Sequence, residues 1–240
     1  MDNEILILVI NVDTQVERWQ SCLQQGKKHG LDLIRISALT PTSLSVTSQC
    51  YVTDGVRAVW ESHMKCMRSL LNSNFEHVLI MEDDFEILDI QKLKNFLRDP
   101  QVLDYDLVQF GFLAPGFDNK VKILVANLET LVFRILASLS KFSIFQMGNI
   151  QNRLRVKEAK QMPWGFTADD FQPGAHCYLV SRDLAKAVIE LNNPQFLSID
   201  DFFTAFSQMR TFNSIRARKS LVAQASFAKW EGDRFLRKTQ

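Results

Sequence analysis

Residues 5–10 read Ile-Leu-Ile-Leu-Val-Ile, six apolar side chains with no polar break, and the run ends at Asn11-Val12-Asp13. Six residues is strand length, and a strand apolar on both parities must be covered on both faces. That is the pattern of a parallel strand in the middle of a layered α/β sheet. Val78-Leu79-Ile80-Met81 repeats it after His77 and ends on Glu82, Asp83 and Asp84, three like charges at one tip.

The segments between these runs alternate in period. Thr14 and Glu17 have the spacing of a capping box, Val16, Trp19 and Leu23 fall on one helical face, and Gly26 and Gly30 are expected to close that helix. Residues 31–39 predict a strand and 40–54, rich in Thr, Ser and Pro, a loop. A helix is predicted over 55–71, a short one over 89–98, strands over 106–111 and 174–181, a helix over 182–191, a helix from Ile199 capped by Ser198, and a last strand near 220–223. Alternation of this kind predicts an α/β fold with a largely parallel sheet. Such sheets bind ligands outside the carboxyl ends of their strands, where Asn11–Asp13 and Glu82–Asp84 fall.

Composition narrows the partners. The 240 residues are 46% hydrophobic, enough for one large domain or two small ones. Lys and Arg number 28 against 27 Asp and Glu, so no global charge calls for nucleic acid. Cys22, Cys50, Cys66 and Cys177 are scattered, which argues against structural zinc and a disulfide framework. No GxGxxG, GxxxxGK[ST], GxSxG or HExxH motif is present. The chain shows neither a basic leader before residues 5–10 nor an uncharged stretch of 18 residues, so a cytoplasmic location is expected. Segment 118–163 breaks the alternation and carries eight basic against three acidic residues; residues 210–240 carry eight against two. A basic amphipathic helix at 118–163 could lie on an anionic membrane, or pack as an insertion on a single domain spanning 1–240.

On an extended strand Glu82 and Asp84 project to one side, ~6.5 Å apart, and Asp83 to the other. Adjacent carboxylates repel, and a hard divalent cation, Mg²⁺ or Mn²⁺, cancels that repulsion through oxygen ligands; a solvated acidic turn is the plainer alternative. Asp200 and Asp201 form a second acidic pair at a helix start, where the helix dipole favours both. One of them is also a candidate general base. His63 and His176 lie in apolar surroundings.

These pieces together resemble glycosyltransferase family 25, the lipooligosaccharide and collagen galactosyltransferase family. The segments that carry the resemblance are ILVINVDTQVERW (with Asn11, Arg18 and Trp19), VWESHMKCMRSLL (Ser62, His63), VLIMEDDFEI, GAHCYLVSRDLAKAVI, SIDDFF and LVAQASF (Gln224). The resemblance implies a GT-A-like, Rossmann-type mixed sheet flanked by helices. It also implies a UDP-sugar donor, a divalent metal (Mn²⁺ or Mg²⁺) and an inverting transfer of a hexose, galactose by family precedent, to a glycan hydroxyl. On that reading Asn11, Asp13, Arg18, His63, Glu82, Asp83, His176 and Gln224 line the donor pocket. Asp84 and Glu82 hold the metal, with His176 as a further candidate ligand, and Asp201 or Asp200 is the base, Asp201 preferred. Peripheral membrane contact would run through 118–163 and 210–240. Two other readings are a non-catalytic sugar- or membrane-binding module that retains the fold, and a metal-dependent phosphoester hydrolase.

Overall fold

A computed structural model describes residues 5–45, 52–112, 162–167, 171–172, 174–191, 195, 197–208 and 212–225. The strands are β1 (Leu6–Asn11), β2 (Ile34–Ser37), β3 (His77–Glu82), β4 (Phe85–Ile87), β5 (Leu107–Gly111), β6 (Phe166–Thr167), β7 (Cys177–Ser181), β8 (Ser214–Ala217) and β9 (Val222–Gln224). The helices are α1 (Val16–His29), α2 (Asp54–Leu71), α3 (Ile90–Leu97), α4 (Pro100–Leu103), α5 (Arg182–Leu191) and α6 (Ile199–Gln208). Among the described residues seven strands form one mixed sheet in the order β2-β1-β3-β7-β5-β8-β6, and β4 pairs with β9. The fold is a Rossmann-like α/β sheet flanked by helices. Strands β2, β1 and β3 run parallel, β7 is inserted antiparallel between β3 and β5, and β8 is again parallel to β5.

The apolar runs explain the layers. Leu6, Leu8 and Ile10 join Val78, Ile80, Tyr178 and Val180 in a core under α2, α5 and α6; Val9, Leu79, Met81, Cys177 and Leu179 face the other way, under α1, α3 and α4. Each fully buried Leu, Ile or Val contributes ~1.5–3 kcal/mol, so both faces of β1 and β3 hold the sheet. Cys22, Cys66 and Cys177 are buried free thiols. Burial pushes the Cys22 thiol up to about 12, with the neighbouring Asp83 carboxylate adding to it, so this thiol stays protonated at neutral pH. No helix among the described residues is long and apolar enough to cross a membrane.

Several local expectations are corrected. Thr14 does not cap α1: the N-cap is Gln15, which makes no side-chain capping bond. Its carbonyl instead accepts from the Asn11 amide at 3.1 Å. Gly30, at φ 59°, is the left-handed C-cap, whereas Gly26 lies inside the helix, at a position where a Cβ would meet Leu33 Cδ1 at 2.9 Å. Nearly all of segment 118–163, and residues 226–240, lie outside the described residues.

Arg182, the first residue of α5, seals the end of α2. Its guanidinium donates to the carbonyls of Leu70 (3.0 Å), Leu71 (3.1 Å), Ser73 (2.6 Å) and Phe75 (2.6 Å). The last carbonyls of a helix have no partner within it, and a fork of N–H donors serves several at once. Arg182→Met is therefore expected to cost about 2–3 kcal/mol and lower Tm by roughly 5–10 °C. Lysine, a single ammonium, should recover less than half of that loss in a thermal melt. A melt unchanged by Arg182→Met would remove this junction from the account.

Candidate functional site

Strand β3 ends at Glu82; Asp83 and Asp84 form a turn that leads into β4. The expected strand alternation therefore stops one residue into the acidic cluster, and the three carboxylates diverge. Asp83, only 9% exposed, accepts from Asn11 Nδ2 at 2.7 Å and Arg18 Nη1 at 3.0 Å. Asn11 is itself buried, and its Oδ1 accepts from Arg35 Nε at 2.7 Å. Arg35 reaches on to Asp13 at 2.6 Å, and Ser37 Oγ donates to the same carboxylate at 2.9 Å. Those contacts, Ser37 first and then Arg35, hold the exposed Asp13 carboxyl below its usual range. Asn11, Asp13, Arg18 and Asp83 thus belong to one network, joined by Arg35 and Ser37, which sequence reasoning did not single out. Asp84 faces a groove that it shares with Arg18, Ser21, Gln25 and Lys28, and its backbone carbonyl accepts from Ala225 N at 2.7 Å.

Glu82 turns the other way. Its Oε2 accepts from Gln224 Nε2 at 3.1 Å, and its Oε1 lies 3.8 Å from His63 Nε2. His63, buried on α2, shares a 2.7 Å hydrogen bond between Nδ1 and the Tyr178 hydroxyl. The two rings stack with centroids 5.8 Å apart. Tyr178 is fully buried, and desolvation raises its pKa well above the ordinary tyrosine value, with Cys66, Glu82 and Asp200 adding to it. Tyr178 is a further site residue; its cue in the sequence is its parity on β7, which turns it to the face that carries α2.

Asp200 completes this side. Its Oδ1 accepts from Ala175 N at 2.7 Å, and the Gly174 amide also donates to the carboxylate. Burial nonetheless raises the Asp200 pKa; the two amide bonds oppose the rise, the Glu82 charge adds to it, and His63 opposes it. Asp201 is exposed and serves the helix start: Ser198 Oγ donates to its carboxylate at 2.6 Å, and its own N–H returns to Ser198 Oγ at 3.1 Å. The Ser198 hydroxyl thus caps α6 through the Asp201 N–H, and the Asp201 carboxylate holds that hydroxyl in place. The structure therefore brings Asp200, and not Asp201, to Glu82 and His63. His176 is buried against Gly111, its Nε2 3.1 Å from the Val222 carbonyl; it does not bond to the three acids. All these groups lie along one rim, because Met81 and Gly111 both pair with Cys177 and so align the carboxyl ends of β3 and β5 with the start of β7.

The family model described as glycosyltransferase family 25 (LPS biosynthesis protein) matches residues 4–203. The chain belongs to glycosyltransferase family 25. The family match runs from β1 into α6 and so includes Asn11, His63, all three carboxylates of the β3 tip, Tyr178 and Asp200; Gln224 lies beyond it. Membership assigns a glycosyltransferase role in LPS biosynthesis and implies a sugar donor and an acceptor. No curated protein matches the chain. Among solved structures, "Crystal Structure of A197 from STIV" is similar over 91% of this chain and 83% of that one, at 12% identity and a TM-score of 0.38.

For this family 25 member the Asn11 network yields a stability prediction. Asn11→Ala strands the Asp83 and Arg35 groups it bonds and is expected to cost about 2–3 kcal/mol in urea unfolding. Arg18→Ala, half-exposed, should cost about 1 kcal/mol or less. Because both act on Asp83, the double variant should depart from additivity by roughly 0.5 kcal/mol or more; strict additivity would show the contacts to be independent.

Proposed function

We propose that the protein transfers a hexosyl group, galactosyl in the simplest reading, from a UDP-sugar to a hydroxyl of a glycan acceptor such as lipooligosaccharide, with inversion at the anomeric carbon. The observation that carries this reading is the placement of Asp200, held by two backbone amides beside Glu82 and His63 on the sheet's carboxyl rim. A carboxylate desolvated in this way is a stronger base than a solvated one and is still oriented. The acceptor O–H gives its proton to Asp200 as its oxygen bonds to the anomeric carbon. The bond from that carbon to the diphosphate oxygen breaks, and UDP leaves with the electron pair. The Tyr178–His63 pair orients the Glu82 side of the pocket, with Gln224 fixing the other Glu82 oxygen. Asp13 and Arg18, the exposed members of the network around the Asn11–Asp83 pair, offer hydrogen bonds to the nucleotide. His176 supports the rim from beneath β9.

Among the described residues no group of three His, Cys, Asp or Glu side chains forms a ready metal cage. The donor chemistry still fits a hard cation shared with substrate. Asp83 is committed to Asn11 and Arg18, and Glu82 and Asp84 point to different sides of the turn, so either one alone would hold the ion; Mg²⁺-type sites often take only one or two carboxylates together with substrate phosphates. A bound cation there would supply neutralising charge to the departing diphosphate.

The test is UDP release from UDP-galactose, UDP-glucose and UDP-hexosamines with and without Mn²⁺. Donor binding without UDP release across a broad acceptor panel would favour the non-catalytic reading. Chelation with EDTA should abolish turnover and Mn²⁺ restore it; turnover indifferent to EDTA would defeat the metal role. Asp200→Asn is expected to lower kcat by about 10²–10⁴-fold, while Asp201→Asn keeps most of it. The sign of the stability effect follows from the raised Asp200 pKa. The folded state holds this proton more tightly than the unfolded chain, so stability from this group is full below the ordinary aspartate value of 3.8 and is lost as pH rises through the folded pKa. Asp200→Asn should thus unfold no more easily than wild type at pH 7. Turnover of wild type should fall as pH drops through that same raised pKa, and a profile flat on the acid side would exclude Asp200 as the base.

A further inference from the structure

The surface where α3, the 162–165 turn and the 218–221 segment meet carries large apolar side chains beside cations. Trp164 is 81% exposed, Leu88 57% and Met162 36%. Their backbones are tied together: Leu88 N–H donates to the Leu221 carbonyl at 2.8 Å, and Arg218 N–H to the Gly165 carbonyl at 2.9 Å. Lys92 Nζ lies 5.2 Å from the centroid of the Trp164 ring and 5.9 Å from that of Phe96. Arg218 and Lys219 are exposed on the adjoining segment. Gly165 adopts φ 92°, and a Cβ there would meet Phe96 Cζ at 2.9 Å, so the turn is built tight against α3 and leaves the tryptophan outside. The Asp89 carboxylate accepts from Lys92 N at 3.0 Å as the cap of α3; Glu86 is the opposing charge on β4.

The place of this patch matters as much as its chemistry. β6 runs antiparallel to β8, with Phe166 opposite Ala217. Trp164 therefore lies just past the carboxyl end of β8, on the rim that also carries Glu82 and Asp200. Leu88 follows β4, which leads directly from the Asp83–Asp84 turn.

We propose that this patch docks the protein onto a bilayer surface bearing anionic headgroups. An indole at the level of the headgroups, two apolar side chains reaching the acyl boundary and flanking cations paired with lipid phosphates match the chemistry of that interface. Three cations beside the patch, Lys92, Arg218 and Lys219, complement the negative surface and single out a membrane over a neutral apolar partner. Docking in this orientation turns the rim toward the bilayer. The proposal stands independently of which sugar is transferred.

Co-sedimentation with vesicles tests it. The full-length protein should bind phosphatidylcholine vesicles containing phosphatidylglycerol about 100-fold more tightly than pure phosphatidylcholine, from three cations acting together, and added salt should erase the difference. Trp164→Ser and Leu88→Ser should each weaken binding roughly tenfold. Lys219→Glu should weaken binding to the anionic vesicles and leave binding to the neutral ones unchanged. The altered side chains are exposed, so thermal melts should match wild type. Absence of binding to either vesicle, or binding through other segments that leaves Trp164→Ser and Leu88→Ser equal to wild type, overturns the proposal.

Discussion

Like charges at the end of a buried strand repel, and the repulsion grows as water is excluded. Glu82, Asp83 and Asp84 escape it because β3 stops at Glu82 and the chain turns, sending each carboxylate to a different set of partners. Asn11 is the pivot of this arrangement. It closes the last position of β1, holds the Asp83 charge with its amide and the Arg35 guanidinium with its oxygen. Once Asp83 is satisfied by Asn11 and Arg18, Glu82 can face His63 and Gln224, and Asp84 can face the groove beside α1. One residue at the tip of β1 thus holds the central acid at the tip of β3, between two that point to different partners.

The same rim holds a group kept at a cost. Asp200 is oriented by backbone amides yet desolvated, and the nearby Glu82 charge disfavours its ionisation further. A fold selected for stability alone would place a neutral side chain there. Asp201, one residue on, shows the opposite use of the same residue type: exposed, tied to Ser198 and responsible only for starting α6. Burial is what separates the two adjacent aspartates: Asp201 serves the helix start, and Asp200 is the one available for the chemistry proposed above.

Much of this was legible from residues alone, and the failures are instructive. The unbroken apolar runs of β1 and β3 identified strands covered on both faces, and α5 was found at its observed limits because its period is strong. The turn at Asp83–Asp84 was not visible: a strand read by alternation continues until something breaks it, and the break here is set by β4 pairing with the distant β9. Arg35 and Ser37 were missed because their partner Asp13 lies in the turn just past the end of the neighbouring strand β1, a contact that only register reveals. The choice between Asp200 and Asp201 was readable in principle. Ser198-Ile-Asp-Asp has the capping-box spacing to Asp201, which assigns that residue to the cap and leaves Asp200 for other work. Thr14 and Glu17 had the same spacing without forming a cap, because α1 begins one residue later, with Gln15 at the N-cap position.

The central claim is that the rim formed by Asn11, Glu82–Asp84 and Asp200 receives the donor. A crystal structure with UDP and Mn²⁺ tests it most directly. The account predicts the diphosphate against the 82–84 turn, with Asp200 on the side where the sugar and acceptor meet. Nucleotide density elsewhere, with that turn left in bulk solvent, would contradict it.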